Sequence, residues 1–171
     1  MKSCKVCKEK FTPTFKKMQP TCGKTECAVE WGRKLRGKET RKALAKHREN
    51  DKSWVRKKAQ EAFNKYIRER DKDLPCISCG ITTGQRHASH YRSRGAAPQN
   101  LAYHEDNVHA SCAQCNTFKS GNIGEYRIQL IMKIGLERVE FLESQNTPYK
   151  YTIEELREIR DIYRAKAKEL K

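Results

Sequence analysis

Apolar residues recur at three- and four-residue steps in two long stretches of the chain, one on each side of a less regular middle segment. This spacing places the residues on one face of a helix, so both stretches predict amphipathic helices. The first stripe consists of Val55, Ala59, Ala62, Phe63, Tyr66 and Ile67. The second consists of Tyr126, Leu130, Ile131, Ile134, Val139 and Leu142, with a break predicted near Gly135.

The end of the chain carries a signal for the start of a helix. Pro148 is expected to end the preceding helix, and Thr152-Ile-Glu-Glu155 resembles a capping box. A final helix is therefore predicted to run to about Leu170. Its apolar face is formed by Ile153, Leu156, Ile159, Ile162 and Tyr163.

The middle segment, 74–122, has little helical pattern and is rich in Gly, Ser, His and Cys. This composition predicts loops and a hairpin that are held together by a metal ion. The fold class predicted is α+β and mostly helical. It has four parts: an N-terminal zinc knuckle at 1–36, a basic helical connector at 37–73, a metal-held core at 74–122 and C-terminal helices at 123–171. Gly37 marks the first boundary as a weak break.

The composition limits the size of any apolar core. Mean hydropathy is −0.96 and charged residues make up 34% of the chain, which suits small metal-held modules better than one large core. No apolar run approaches the roughly 20 residues that span a bilayer, and the amino terminus lacks a signal-peptide core. We therefore expect a soluble protein that stays in the cytoplasm where it is made and has no membrane partner.

The chain is strongly basic, because 37 Lys and Arg residues outnumber 21 Asp and Glu residues to give a net charge of +16. An excess of this size favours a polyanionic partner, since each phosphate that is neutralised releases counterions. Charge alone does not separate nucleic acid from an acidic membrane surface or a ribosome. The simplest alternative is that the excess only promotes solubility.

Eight cysteines fall in four close pairs, which are Cys4/Cys7, Cys22/Cys27, Cys76/Cys79 and Cys112/Cys115. Close pairs in a chain without a signal sequence favour metal sites, with disulfides as the alternative. Two pairs supply the four thiolates of one zinc site, so two structural zinc ions are predicted. Residues 1–30 contain so few other apolar residues, mainly Phe11 and Phe15, that this module should need its ion to fold.

A basic stretch precedes the first apolar stripe, with Glu39 as its one acidic residue. It is either a helix that contacts DNA phosphates or an ordinary solvated arm. The net charge favours DNA contact, and the residues predicted to make it are Arg33, Lys34, Arg41 and Lys42.

The middle segment also contains the residues best suited to chemistry. After Cys76-x-x-Cys79 come His87-Ala-Ser-His90-Tyr91, then Asn107-Val-His109, then Cys112-x-x-Cys115-Asn116. This order resembles the HNH, or ββα-metal, nucleases. The resemblance implies that His90 lies on a hairpin, that Asn116 opens the following helix, and that one zinc bound by the two cysteine pairs fixes hairpin against helix.

Phosphodiester hydrolysis explains why these residue types occur together. A neutral imidazole can take a proton from water at cellular pH, so His90 is predicted to be the general base. The resemblance implies that Asn116 is a ligand of a catalytic Mg²⁺ or Mn²⁺ and that Asn107 braces the loop carrying His90. Arg92, Arg94 and Lys119 would hold flanking phosphates. In the alternative interpretation, Asn116 only caps a helix and His90 is an ordinary surface histidine.

One position departs from the family pattern. Many relatives have an acid or a histidine directly before the base, where it binds the catalytic ion, and this chain has Ser89. The ion would be held by Asn116, waters and DNA, or a second ligand would come from elsewhere. The candidates are His87, His104, Asp106 and His109, of which His109 and Asp106 are favoured because they flank Asn107.

The resemblance extends over most of the chain. The His90–Pro98 run, Glu105–His109 and Cys112–Asn122, after a cysteine knuckle and a basic connector, resemble the NinG/Rap recombination proteins of lambda-like phages. The cysteine, histidine and asparagine order is also similar to that of phage T4 endonuclease VII. The resemblance implies a phage or prophage enzyme in the bacterial cytoplasm that cuts branched DNA such as Holliday junctions. A homodimer would place two cutting sites on opposing strands.

Two other functions stay open from the sequence. The chain would be a non-catalytic zinc-finger protein that binds nucleic acid if the HNH-like frame is only a scaffold, and Ser89 is the best argument for this. Alternatively, it would be an HNH endonuclease that nicks ordinary duplex DNA.

Overall fold

The structure, a computed structural model, describes residues 1–14, 18–93 and 99–170. It divides into two compact units, Met1–Asn50 and Asp51–Lys171, which we call the N-terminal and C-terminal units. Phe15 and Arg94, singled out from the sequence, lie outside the described residues. Within those residues, no helix combines the length and the apolar character needed to cross a membrane.

The N-terminal unit consists of a small antiparallel hairpin and one long helix. Strands β1 (Lys2–Ser3) and β2 (Lys10–Phe11) pair, and helix α1 covers Thr25–Glu49. Among its described residues, the buried apolar side chains are Cys4, Phe11 and Cys27, against which Val6 and Cys22 pack. On α1 itself, Cys27 alone is buried. This unit therefore has almost no core apart from its cysteines.

The boundary predicted at 36–37 falls inside α1, so the helical connector at 37–73 is not one element. Glycine inside a helix costs about 1 kcal/mol relative to alanine and does not by itself end the helix. Helix α1 ends at Glu49, and the next helix begins after Asp51. There Asp51 Oδ1 accepts hydrogen bonds from the backbone N–H groups of Ser53 at 2.8 Å and Trp54 at 3.3 Å, which starts the next helix.

The first core of the C-terminal unit lies between helices α2 (Lys52–Arg70) and α5 (Ile153–Glu169). All six residues of the first predicted apolar stripe are buried there, which confirms that prediction. The Phe63 and Tyr163 rings meet edge to face, 4.7 Å apart. The predicted capping box is also confirmed: Thr152 Oγ1 accepts from Glu155 N, and the Glu155 carboxylate accepts from Thr152 N.

A second core forms around helices α3 (Ile123–Ile134) and α4 (Leu136–Ser144). The break predicted near Gly135 is confirmed: this residue has φ +88°, a conformation that glycine adopts without a Cβ clash. Helix α4 ends at Ser144, before Pro148.

Strands β3 (Arg86–His90) and β4 (Val108–Cys112) form an antiparallel pair in the same unit. Its register pairs His87 with Ser111 and Ser89 with His109. All five residues of β4 are buried. A single π-helical turn, Gln114–Phe118, follows β4 and is called the π-turn below. The α+β, mostly helical class is thus confirmed, with two small sheets.

Candidate functional site

The eight cysteines form two clusters, one in each unit, as the pair spacing predicted. In each cluster the four sulfurs lie within 4.8 Å of one another, and all eight thiols are free. Cys7 Sγ and Cys22 Sγ are 3.8 Å apart, and Cys79 Sγ and Cys112 Sγ are 3.7 Å apart. Four sulfurs arranged tetrahedrally about 2.3 Å from a zinc ion would be separated by about 3.8 Å, so both clusters fit zinc. A disulfide needs about 2.05 Å.

The ionisation of the thiols also favours a bound cation. Burial opposes ionisation of Cys76, but backbone N–H donors, first that of Cys112, outweigh it and lower the pKa of this thiol to about 7. Burial and then the neighbouring sulfurs raise the pKa of Cys115 to about 12. The N-terminal cluster shows the same division between a lowered and a raised pKa: that of Cys4 is about 6 and that of Cys27 is about 12. Four adjacent thiolates repel one another unless a cation lies between them.

The C-terminal cluster connects three parts of the chain. Cys112 ends β4, Cys115 lies in the π-turn, and Cys76 and Cys79 come from the loop after α2. Cys112 N donates to Cys76 Sγ at 3.3 Å, and Ser78 Oγ donates to Gly121 O at 2.9 Å. The cluster therefore fixes the π-turn, which carries Asn116, against the β3–β4 pair.

The structure brings Asn116 together with His87. The side chains of residues i and i+2 on a strand lie on one face, so His87 shares its face of β3 with Ser89. Asn116 Nδ2 lies 3.3 Å from His87 Nδ1. Both side chains border a cavity of about 570 Å³, which we call the histidine cavity. The other residues that line it are Asn64, Arg68, Gln85, Arg86 and Ala88.

His90 points to the other face of β3 and does not line the histidine cavity within the described residues. Its Nε2 atom lies 3.0 Å from the carbonyl oxygen of Ala102. A carbonyl oxygen only accepts, so Nε2 is the donor in this contact. The structure thus brings Asn116 to His87 and not to His90.

Asn107 is fully buried, and its side chain links the two ends of the loop that follows β3. Its Oδ1 accepts from Arg92 N at 2.8 Å. Its Nδ2 donates to Arg92 O at 3.1 Å and to Leu101 O at 3.0 Å. Asn107 O also accepts from Tyr91 N at 2.8 Å. These contacts are those expected of a residue that braces the segment after His90.

His109 and Asp106, the favoured second ligands, are not beside Asn116, and among the described residues neither lines the histidine cavity. His109 is buried, with Nδ1 3.3 Å from the Tyr126 hydroxyl. Burial, followed by the charges of Lys133 and Arg70, lowers its pKa to about 3. Asp106 pairs with Arg138, whose Nε donates to Oδ2 at 2.8 Å. Among the described residues, the histidine that lies beside Asn116 is His87.

The side chain of Arg92 also has a role other than the phosphate contact predicted for it. Its Nη1 donates to Leu142 O at 3.2 Å and to Glu143 O, so the guanidinium joins the loop after β3 to the end of α4. Ser89 is buried, and its carbonyl oxygen accepts from the Tyr126 hydroxyl at 3.0 Å. Lys119, at the end of the π-turn, is exposed.

The basic residues predicted to contact DNA from the N-terminal unit all lie on the exposed part of α1. Arg33 and Lys34 lie 3.3 Å and 3.7 Å from the Glu30 carboxylate, and Arg41 Nε donates to Gly37 O at 3.1 Å. Lys42 is exposed.

Two residues that line the histidine cavity, Asn64 and Arg68, were not predicted from the sequence, and His87 was not favoured. The alternation of side chains between the two faces of β3 would have indicated His87, because His87 lies two residues before Ser89 and on the same face. Nothing local in the sequence indicates that Asn64 and Arg68 of α2 line the same cavity. The two come together there because α2 packs beside β3.

Comparisons with known proteins agree on one family. The family model described as the bacteriophage lambda NinG protein matches residues 1–171. The protein ninG of Escherichia phage 933W is 42% identical over 193 residues, which cover 99% of this chain and 94% of that protein. The protein ninG of Escherichia phage lambda is 42% identical over 189 residues, with 96% and 90% coverage. That of Salmonella phage P22 is 41% identical, with the same coverage.

No solved structure matches the chain significantly. The family model spans every residue, and the relatives exceed 40% identity over almost their whole length. The chain therefore belongs to the bacteriophage lambda NinG protein family.

Proposed function

We propose that this chain is a metal-dependent DNA endonuclease with an HNH-type core that cuts branched DNA, such as Holliday junctions, during phage recombination. One observation carries the proposal. An antiparallel strand pair and the π-turn, joined by a four-cysteine cluster, bring His87 and Asn116 to one cavity, with His90 on the same strand. A hairpin, a helical turn and a histidine–asparagine combination are the elements of the ββα-metal nucleases that the sequence resembles.

Zinc is the structural metal in this proposal, with one ion in each cysteine cluster. The sulfur separations of 3.7 and 3.8 Å support it. Metal analysis of the purified protein should return two zinc ions per chain.

His87 and Asn116 are the residues proposed to hold the catalytic ion. Asn116 now directs its amide nitrogen at His87, and rotation of the amide would direct its oxygen there instead, so that both side chains offer a ligand atom to one ion. An imidazole nitrogen suits Mn²⁺ better than Mg²⁺, which prefers oxygen ligands. When bound, a divalent ion stabilises negative charge on the phosphate and on the leaving 3′ oxygen.

His90 is proposed as the general base. The oxygen of a water molecule forms a bond to phosphorus while the bond from phosphorus to the 3′ oxygen breaks. Because His90 is not among the described residues that line the histidine cavity, the proton of that water goes to His90 through one bridging water, and the 3′ oxygen takes a proton from solvent. His90 lies on β3, the strand that also carries His87.

Branched DNA is the proposed substrate because of the resemblance to recombination proteins and the net charge of +16.

A homodimer in the cytoplasm of the bacterial host is proposed as the active form, since two sites can cut opposing strands. Exposed apolar side chains of Ile128, Met132 and Leu136 offer it an apolar face. Sedimentation analysis of the wild type and Met132→Glu tests this, and a monomeric wild type at assay concentration would contradict it.

The test of the function is cleavage of a synthetic four-way junction with Mg²⁺ or Mn²⁺. His90→Ala should lower the cleavage rate by about 10²–10⁴-fold while junction binding is retained. His87→Ala and Asn116→Ala should raise the metal concentration required. His87→Asp should restore cleavage and shift the preference towards Mg²⁺, because a carboxylate replaces the imidazole. His47→Ala, an exposed histidine on α1, is the matched control.

A second candidate function is non-catalytic DNA binding, and the position of His90 away from the histidine cavity favours it. It expects junction binding that is equal in Mg²⁺ and in EDTA at matched ionic strength, with no strand cut. Equal cutting of a linear duplex and a junction at fixed salt would instead indicate a nuclease for ordinary duplex DNA.

A further inference from the structure

A second depression in the surface adjoins the histidine cavity. It has a volume of about 530 Å³, and within the described residues its lining comes from α2. The lining side chains lie four residues apart along the helix, at Lys52, Arg56, Gln60 and Asn64, with Ser53 and Lys57 beside them. Asn64 also lines the histidine cavity, so the two depressions meet at this residue. We call this surface, from Lys52 to Arg68, the α2 groove.

The α2 groove lies on the face of α2 that points away from the core. Val55, Ala59, Phe63 and Ile67 on the opposite side are buried against α5 and its neighbours. The exposed cations Arg56, Lys57 and Arg68 are not part of that core. These three side chains can therefore contact a ligand without loss of the core.

The charges along the groove are mostly positive. Arg56, Lys57 and Arg68 are exposed, and they have no carboxylate partner among the described residues. The one acid in the lining, Glu61, is neutralised by Lys58, whose Nζ lies 2.6 Å from its carboxylate. Unpaired cations repel one another, so the row favours a ligand with regularly spaced negative charges.

The length of the groove matches a polymer better than a small anion. The sixteen-residue interval from Lys52 to Arg68 covers about 24 Å of helix, and consecutive phosphates of one duplex strand advance about 3.4 Å. The row therefore spans about seven phosphates. Between its cations lie Ser53, Gln60 and Asn64, side chains of the kind that contact phosphate and sugar oxygens.

We infer that the α2 groove binds the phosphate backbone of one DNA arm and directs that strand to His87 and Asn116. The inference rests on the proposed function, because it takes the histidine cavity as the place of cleavage. It adds a substrate path on α2 that is separate from the basic part of α1. The contacts are with phosphates, so the groove binds without sequence preference.

Binding of the full-length chain to a four-way junction tests the inference without any need for cleavage. Affinity should be measured in EDTA at several salt concentrations for the wild type and for the triple variant Arg56→Gln, Lys57→Gln, Arg68→Gln. Loss of three phosphate contacts should reduce the slope of log affinity against log salt by about 2 to 3. The matched control is Lys65→Gln, Lys72→Gln, Lys168→Gln, which removes three exposed charges outside the groove lining.

An arm-length series gives a second readout. Junctions with arms longer than about seven base pairs should bind the wild type more tightly than junctions with shorter arms. The groove variant should lose this difference, and the control variant should keep it. Equal slopes for the groove and control variants, or an arm-length dependence that persists in the groove variant, would overturn the inference.

Failure of the proposed function is distinguishable from failure of the inference about the groove. Slope and arm-length changes confined to the groove variant, in a wild type that never cuts the junction in Mg²⁺ or Mn²⁺, would reject the nuclease and keep the groove as a DNA-binding surface. Cleavage by the wild type with unaltered binding by the groove variant would keep the nuclease and reject the groove.

Discussion

The two cysteine clusters share their local geometry but lie in very different surroundings. In the first, Lys8 N donates to Cys4 O at 3.0 Å and Cys4 N donates to Glu9 O at 2.8 Å. In the second, Gly80 N donates to Cys76 O at 2.9 Å and Cys76 N donates to Ile81 O at 2.9 Å. Lys8, which follows Cys7, and Gly80, which follows Cys79, both have a positive φ. The Cys4/Cys7 and Cys76/Cys79 pairs form the same kind of knuckle.

Around the first knuckle the N-terminal unit buries Phe11 and little else. Around the second lie two apolar cores and a buried polar network. In that network Asp71, almost fully buried, accepts from Arg70 at 2.8 Å and from the backbone N–H of Ala110 at 2.9 Å. The same sulfur chemistry therefore has two uses. In one unit it replaces a hydrophobic core, and in the other it positions a turn on a core that already exists.

The largest expected effect follows from removing the metal. Each unit contains a tryptophan whose fluorescence reports its folding. Trp31 lies in the N-terminal unit, with its ring 5.5 Å from Lys5 Nζ, and Trp54 packs against the first core of the C-terminal unit. Chelation should unfold the N-terminal unit, since a structural zinc contributes about 10–16 kcal/mol. Fluorescence of Trp54→Phe, which reports Trp31, should shift to that of the unfolded chain. Trp31→Phe should keep its folded spectrum at the same chelator concentration.

Two outcomes would contradict this difference. If the folded fluorescence of Trp54 were lost together with that of Trp31, the C-terminal unit would depend on its ion as fully as the N-terminal unit does. If Trp31 kept its spectrum after zinc had been removed, a core other than the cysteines would hold the N-terminal unit.

Asn107 tests the links of the C-terminal unit that need no metal. Asn107→Ala removes the partners of Arg92 N, Arg92 O and Leu101 O, all in the loop after β3. The free energy of unfolding of the C-terminal unit should fall by about 3 kcal/mol, measured by urea denaturation of the zinc-loaded protein. Asn146→Ala, an exposed amide 3.4 Å from the Arg92 guanidinium, is the control and should change stability little. An equal loss in both variants would reject the bracing role.

The buried His109 predicts a pH dependence that belongs to the C-terminal unit. Its pKa is about 3 in the folded chain and 6.5 in the unfolded chain, so the unfolded state binds a proton first as pH falls. Stability is therefore complete above about pH 6.5 and is lost towards pH 3. The loss at pH 5 should be about 2 kcal/mol.

Thermal or urea unfolding of the wild type and His109→Asn between pH 7 and pH 5 measures this contribution. Asparagine can donate to the Tyr126 hydroxyl as the neutral imidazole does, but it does not titrate. The variant should lose about 2 kcal/mol less than the wild type over this interval. Identical slopes for the two proteins would show that His109 titrates alike in the folded and unfolded chains.

The smallest effect should come from exchanging the residue types after Cys7 and after Cys79. Lys8 has φ +67° and Gly80 has φ +73°, and only glycine adopts this conformation without a Cβ clash. Gly80→Lys should destabilise the second knuckle by about 1 kcal/mol, and Lys8→Gly should strengthen the first by less. Competition with a zinc-binding dye measures both. Tighter zinc binding by Gly80→Lys would contradict the shared geometry.

Much of the fold was determined by the sequence alone, because its signals are local. The cysteine pairs, the apolar stripe from Val55 to Ile67, the break at Gly135 and the Thr152 capping box all depend on residues within one or two helical turns. Backbone geometry at that range is set by the chain itself. The family was also predicted correctly from short motifs.

Tertiary structure alone decided which residues share the histidine cavity. The β3–β4 register pairs Ser89 with His109 and buries both, which leaves His87 to face Asn116. The packing of α2 beside β3 brings Asn64 and Arg68 to the lining of this cavity. The guanidinium of Arg92 donates hydrogen bonds to carbonyl groups at the end of α4. These neighbours are far apart in sequence, and register and packing, which depend on the whole core, bring them together.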